Sequence, residues 1–489
     1  AQRSEAGETG LWEVHEPLPE WPSREIVQVP LTNSNGPQLE LLLKLECPDT
    51  PRGEGLWASP KVFFRDARAH PNRQPDDERP NIVLIGADTL RSDVLGAYGR
   101  RPTLTPAIDA LAKESDVWLE AFATFNVTLP SFTSILTGLY GREHGVYRNT
   151  DRAPESLVTI AEILGQNGYA TAAFLSARHV FSGRVAQGFD EVSAPRGHQA
   201  GEFAVNQAMN WLDGVQEPFF AWIHLYDAHT PHTPPGKPGE GYVPAAPSGL
   251  RLPARWVPFR EPGRLPFRNT TLMAHESLYE GEVVYLDRQI DRLLDVLRSR
   301  DSLSHTVVAF VADHGENLGE NGQRFNHAGL WDSVVHVPLM IRWAGANRRG
   351  RQLGGMVQTI DLFPTLLRAA GLVPPESSGQ DLLDLADAGG RRAVVAEQVN
   401  RRGTMVRTPS HKFFLVRFDY VVSAGTYLYD LAQDPGETTN LAELEPELGA
   451  RLSEMLSRWS AASGGAQTAP PGELGSRELE ELRSLGYVD

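Results

Sequence analysis

PNIVLIGADTLRSD, Pro80 to Asp93, decides the fold. Its β-branched apolar run, Ile82 to Ile85, leads through Gly86 to Asp88, the pattern of a strand buried on both faces that delivers a carboxylate at its C-terminal end. HTVVAFVADHGENLGENG, His305 to Gly322, repeats the plan: Val307 to Val311 run apolar into Asp313 and His314. Doubly buried strands belong to a mostly parallel α/β sheet covered by helices, and in open sheets of that kind ligands gather at the carboxyl ends of strands. A single Asp after a strand is often only a helix cap. Two acidic strand ends with an adjacent His give the mixture of hard oxygen and imidazole that suits a divalent ion, Zn²⁺ or Mn²⁺ first, with Ca²⁺ and Mg²⁺ compatible.

Outward from these strands lies NVTLPSFTSILTG, Asn126 to Gly138. Pro130 suits a first helical turn and Gly138 a helix end, so Thr128 stands where the positive end of a helix dipole and its unpaired N–H groups favour an alkoxide or a bound oxyanion. A hydroxyl there can act as a nucleophile or serve only as an N-cap.

With these blocks in place the chain resembles the sulfatase branch of the alkaline phosphatase superfamily, from about Pro80 to the last residues. Further ordered blocks carry the likeness: Thr105 to Leu111, Gly168 to Asp190, Pro218 to Pro231, Asp313 to Pro338, Val357 to Gly371 and Tyr427 to Leu441. The resemblance implies an alkaline phosphatase-like α/β sandwich with a smaller C-terminal antiparallel subdomain and a metal-assisted nucleophile that attacks sulfur or phosphorus. Its first metal set would be Asp88, Thr128, Asp313 and His314.

The departures change the chemistry expected. Sulfatases carry Cys or Ser followed by x-Pro-Ser-Arg and oxidise that first residue to formylglycine. Here the positions read Thr128, Leu129, Pro130, Ser131 and Phe132, and Thr cannot become that aldehyde. Thr89 stands where a second Asp is usual, and Leu175 to His179 replace a Gly-Lys-x-His signature. Thr nucleophiles in the superfamily usually work with two ions. PFFAWIHLYDAHTPHTPP supplies candidates for a second site in His229 with Asp227 or His224, and His327 stands where sulfatases keep a catalytic Lys. His229 and His327 are thus candidate ligands of a second ion or catalytic hydrogen-bond donors, and the count of ions, one or two, stays open.

A net charge of −16 without any basic block excludes a nucleic-acid backbone as the natural partner. The single Cys47 excludes an internal disulfide framework. No apolar run reaches the roughly 18 residues of a membrane span. The start at Ala1, with family habit, gives the expectation of a bacterial periplasmic or secreted protein whose targeting segment has been removed. A homo-oligomer stays open. Asn126-Val127-Thr128 is formally a glycosylation sequon, but a glycan there would block the nucleophile.

Four regions follow. Residues 1–66 read as an N-terminal β-module, since Leu39, Leu41, Leu43 and Leu45 share one face at period 2. Residues 67–79 form a polar linker, 80–392 the catalytic domain and 393–489 an α+β subdomain of short strands with a helix near Glu445 to Ser460. Within the catalytic domain Leu278 to Leu297 has the stripe of an amphipathic helix, and the Pro- and Gly-rich stretch Pro231 to Pro266 reads as a wall over the active site. The tail Glu478 to Tyr487 reads as a last short helix.

The function expected from the sequence is metal-dependent hydrolysis of a small phosphate ester, a phosphodiester or phosphonate monoester first, through a phospho-threonine at Thr128. The alternatives are a sulfatase without formylglycine, a phosphoethanolamine-type transferase and an inactive binding protein.

Overall fold

A computed structural model describes residues 26–31, 39–44, 61–65, 79–235, 269–300, 302–323, 325–345, 350–419 and 422–461. It divides into two compact units, Ala1–Pro75 and Asp76–Asp489. In the first, strands β1 (Ile26–Leu31), β2 (Leu39–Lys44) and β3 (Lys61–Arg65) form an antiparallel sheet in the order β1-β2-β3. Leu41 is paired with Val29 on one side and Phe64 on the other.

The second unit is built on β4 (Asn81–Ala87), β5 (Asp116–Phe122), β6 (Ala170–Leu175), β7 (Glu191–Ser193), β8 (Phe219–Leu225), β9 (Thr306–Ala312), β10 (Leu339–Arg342) and β11 (Arg351–Gln358). They form one eight-stranded sheet in the order β11-β5-β10-β9-β4-β8-β6-β7. Pairing is parallel except at β10, which runs antiparallel to both β5 and β9.

Both faces of β4 are buried, as its continuous apolar run requires. Ile82 and Leu84 pack with Leu129, Phe132, Ile135 and Leu366 from helices Thr128–Thr137 and Leu362–Ala369. Val83 and Ile85 pack with Ile108, Val205, Leu286 and Ile290 from helices Pro106–Lys113, Glu202–Leu212 and Asn269–Ser299. Full burial of such a side chain contributes roughly 1.5–3 kcal/mol, so two filled layers fix this central strand firmly.

The register then places the chemistry. Gly86 of β4 is paired with His224 of β8 and with Val311 of β9, so three strands end at one level. Backbone bonds from Asp88 N to Leu225 O (2.9 Å) and from Asp313 N to Ala87 O (3.1 Å) carry the alignment one residue past the strands.

The C-terminal sheet, β12 (Val394–Glu397), β13 (Gly403–Arg407), β14 (His411–Val416) and β15 (Gly425–Asp430), is antiparallel throughout. Leu452 and Leu456 of helix Pro446–Ala461 cover one face with Val406 and Phe413, and Trp331 and Val334 of the catalytic core cover the other with Met405 and Phe414. The amphipathic helix expected over Leu278 to Leu297 is longer, Asn269–Ser299. Most of the expected wall, residues 236–268, and the tail helix lie outside the described residues. Among the described residues no helix is long and apolar enough to cross a membrane.

Candidate active site

Asp88, Asp313 and His314 converge above the sheet. Their ligand atoms lie within 4.8 Å of one another, and the three side chains are fully buried. His314 Nε2 is 3.8 Å from Asp88 Oδ1 and 3.5 Å from Asp313 Oδ2. Its Nδ1 lies 3.0 Å from Gly315 O, which fixes the tautomer with the hydrogen on Nδ1 and leaves a lone pair on Nε2, as metal-ligating histidines are held. Asp313 Oδ1 is satisfied by the N–H groups of Thr89 (3.2 Å) and His314 (2.7 Å).

The facing atoms Asp88 Oδ1, Asp313 Oδ2 and His314 Nε2 have no hydrogen-bond partner among the described residues. Burial raises both carboxyls well above the usual range, Asp313 further under the charge of Asp88, while burial and His327 hold His314 well below 6.5. Two buried carboxylates and a lone pair aimed at one point are costly alone and complementary to a divalent cation. The donor set fits such an ion without selecting among Zn²⁺, Mn²⁺, Ca²⁺ and Mg²⁺.

Thr128 adjoins this pole. Its Oγ1 donates to Asp88 Oδ2 at 3.3 Å, and it is the first residue of helix Thr128–Thr137, with Pro130 in the first turn and Gly138 (φ 71°) at the end. The expectation that this helix end offers several open N–H groups is corrected. Leu129 N donates to Asn149 Oδ1 (2.8 Å), Ser131 N to Val127 O (3.2 Å), and Pro130 has no N–H, so Thr128 supplies the first turn's remaining donor. Ser131 Oγ, bonded to Asp313 O at 2.7 Å, ties the helix to the acidic pole.

Phe132, in place of an Arg, fills space that a charge would otherwise occupy. A Cβ on Gly86 would meet its ring at 2.5 Å, and the ring centroid lies 5.0 Å from that of His224 and 5.1 Å from that of Trp222. Thr89, in place of a second Asp, has φ 52°, a conformation uncommon for a β-branched residue; its N–H goes to Asp313 and its carbonyl accepts from Tyr279 Oη at 3.0 Å.

The imidazoles are arranged differently. His224 Nε2 lies 3.7 Å from Asp88 Oδ2 at the edge of the acidic pole, with burial lowering its pKa to about 3. The His327 ring is 4.7 Å from that of His314 and 5.8 Å from that of His229, and burial lowers it to about 4. His229 Nδ1 lies 2.6 Å from Thr230 O and 2.8 Å from Tyr226 Oη, which puts its lone pair on Nε2. The second ligand set expected from sequence does not close: among the described residues Asp88, Asp313 and His314 are the one group of three at ligand spacing. Asp227 is the clearest departure, because its Oδ2 is engaged by Gly201 N at 2.7 Å.

Sequence reasoning passed over three supports. Asn126 is buried and clasped, its Nδ2 donating to His327 O and its Oδ1 accepting from Val399 N, both at 2.9 Å, so its side chain is committed to the site. Asn149 orients the nucleophile helix, and Tyr226 seats His229. Tyr226, between His224 and His229, and Asn126, two residues before Thr128, lay inside segments the sequence singles out, whereas Asn149 did not. His179, in the altered Gly-Lys-x-His block, shares a hydrogen bond with His198, Nδ1 to Nε2, at 3.1 Å.

The family model described as Sulfatase matches residues 80–372. The chain belongs to the sulfatase family. A second model, N-sulphoglucosamine sulphohydrolase, C-terminal, matches residues 319–460 of this sulfatase-family chain. Delta 4,5-hexuronate-2-O-sulfatase of Bacteroides thetaiotaomicron is 26% identical over 430 residues, covering 77% of this chain and 87% of that protein. Arylsulfatase K of Homo sapiens is 23% identical over 472 residues, covering 82% and 87%. Among solved structures, the phosphonate monoester hydrolase of Agrobacterium radiobacter superposes with TM-score 0.66 at 23% identity, covering 78% of this chain and 96% of its own. A 2-O GAG sulfatase superposes with TM-score 0.63 at 23% identity, covering 82% and 99%. As a member of that family the chain is an ester hydrolase, and it has the alkaline phosphatase-like fold expected.

Proposed function

We propose that the chain hydrolyses a sulfuric monoester through unmodified Thr128, with one divalent ion held by Asp88, Asp313 and His314. The observation that carries this reading is Thr128 Oγ1 at a helix N-terminus, 3.3 Å from the carboxylate whose other oxygen faces His314. Family membership and the relatives' names support a sulfate ester over the phosphate preference expected from sequence.

A bound ion supplies positive charge that keeps both carboxylates ionised and lowers the pKa of a neighbouring hydroxyl. Thr128 Oγ1, its proton given up to solvent, attacks sulfur opposite the ester oxygen; the Oγ1–S bond forms, the bond to the leaving oxygen breaks, and that oxygen takes its proton from water. Water then attacks sulfur, the Oγ1–S bond breaks, and the water's proton passes to His229 Nε2, whose lone pair is set by Thr230 and Tyr226. His327, beside His314, lines the path of the ester oxygens.

A phosphate or phosphonate ester is the second reading, and Thr128 itself favours it. A formylglycine hydrate has a second hydroxyl with which to expel its sulfate, whereas a threonine ester needs attack at sulfur or phosphorus, and phosphoryl groups undergo that second displacement readily. The full chain, stripped of metal and reloaded with each candidate ion, is to be assayed on matched aryl sulfate, phosphate, phosphonate and phosphodiester. Turnover of the sulfate above the others supports the first reading, turnover of a phosphoryl ester the second, and no metal-dependent turnover of any of them overturns both.

A further inference from the structure

The structure assigns His224 a positioning role in turnover: while Thr128 is esterified, the His224 ring N–H replaces the Thr128 hydroxyl as donor to Asp88 Oδ2. The inference rests on the Thr128 mechanism proposed above and deepens it by naming the residue that steadies Asp88 when the nucleophile has no hydrogen to give.

Its first support is the division of work on Asp88. Oδ1 lies 3.8 Å from His314 Nε2 and has no hydrogen-bond partner among the described residues, which leaves it for the ion. Oδ2 accepts from Thr128 Oγ1 at 3.3 Å, with His224 Nε2 at 3.7 Å, just beyond hydrogen-bond reach. Once Oγ1 is bonded to sulfur or phosphorus its hydrogen has gone to solvent, and Oδ2 loses its side-chain donor inside a fully buried site. A charged acceptor left unmatched there is costly. His314 does not replace the lost donor, because its hydrogen lies on Nδ1, facing Gly315 O.

The second support is the state of His224 itself. Its ring is fully buried, and among the described residues neither nitrogen has a hydrogen-bond partner. It packs edge-on against Phe132, with centroids 5.0 Å apart and planes at 73°, and against Trp222, at 6.2 Å and 79°. Neither of those side chains offers an acceptor. The Arg usual in sulfatases at position 132 would bring donors of its own into this corner, and Phe132 brings none.

The third is a fixed backbone beneath a ring that can turn. His224 belongs to β8, in the middle of the sheet, where it is paired with Gly86 of β4 and Leu175 of β6. Its carbonyl accepts from Ser176 N at 3.2 Å and from Ser176 Oγ at 2.9 Å. Side-chain torsion alone therefore closes the gap to Oδ2. The turn reverses when water cleaves the ester and Oγ1 regains a proton from solvent. His224 acts through Asp88 and does not touch the substrate.

Two measurements on the full-length, metal-loaded protein test this. Thr128→Val removes the hydroxyl as esterification removes its hydrogen. In nitrogen-15 spectra of histidine-labelled protein, the His224 ring N–H, assigned by its loss in His224→Gln, is expected to move downfield in the Thr128→Val variant. In acid-quenched single turnovers of an aryl ester, His224→Phe is expected to slow transfer onto Thr128 about tenfold and to leave release from Thr128 within about twofold, since the hydroxyl hydrogen is absent at both ends of the release step. His224→Gln, which keeps a donor, should recover most of the loss. Equal slowing of the two steps, no recovery with Gln, or an unmoved His224 proton in Thr128→Val overturns the inference. A moved proton in that variant, with no ester ever found on Thr128 of the wild type, sinks the Thr128 mechanism and leaves the exchange of donors standing.

Discussion

The carboxylates at the ends of β4 and β9 converge on one point, whereas after β8 His229 and Asp227 are each held by partners of their own, and the ring of His224 lies at the edge of the acidic pole with neither nitrogen hydrogen-bonded among the described residues. Asp88, Asp313 and His314 turn unsatisfied atoms toward one another. His229 is seated by Thr230 and Tyr226, and Asp227 by Gly201. The difference teaches that residue types suited to metal binding are insufficient. Register between adjacent parallel strands makes the acidic pole a ligand set, and no such register governs the irregular loop after β8. The account therefore assigns the ion to the acidic pole and the handling of ester oxygens and protons to the imidazole wall.

The largest effect is expected at the junction of the two. Thr128→Ala should lower kcat/KM by about 10³-fold or more with the melting temperature little changed; near-normal turnover would remove the nucleophile from the account. Next, Asp313→Asn should lose the bound ion and on the order of 10²–10³-fold in activity, measured by elemental analysis beside kinetics. Retention of one full equivalent of metal would break the acidic side of the comparison.

His327→Lys sharpens it. With the ion assigned to the acidic pole, metal content should stay at its wild-type value while turnover falls by about tenfold to a hundredfold. A fall from two ions to one would show that the imidazole wall is also a ligand set.

The smallest effect concerns a buried carboxyl outside the ligand set. Glu282, which accepts from Thr233 N at 2.7 Å, is raised from its ordinary 4.5 to about 8 by burial and then by Asp227. The folded state therefore holds this proton where the unfolded chain has released it, so stability declines as pH rises through that window and the cost is complete above it. Glu282→Gln should raise the melting temperature by a few degrees at alkaline pH and by nothing resolvable at pH below 4.5, as thermal denaturation across pH would show. A gain of equal size at both ends would assign the effect to packing.

What the sequence made legible was whatever depends on period and local order. The doubly apolar runs of β4 and β9, the alternating strands of the C-terminal sheet and the proline and glycine that bracket the nucleophile helix all have local causes. So does the convergence of Asp88 with Asp313, once two strands of one parallel sheet are recognised. The direction of Asp227 was not legible, because Gly201 lies far from it in the chain and only the packed fold brings its N–H within reach. Asn149 and Asn126 escaped for the same reason: capping Leu129 and clasping His327 to Val399 are tertiary acts by ordinary loop residues. At Phe132 the sequence showed the missing charge, and only the structure showed a ring packed over Gly86 and against His224.

The most direct test of Thr128 as an unmodified nucleophile is the mass of the peptide containing it, from full-length, metal-loaded enzyme quenched with acid during turnover of an aryl ester. The account predicts an unmodified threonine at rest and, during turnover, a fraction heavier by one sulfuryl or phosphoryl group localised to Thr128. An aldehyde at that position, or the transferred group found on a different residue, would contradict it.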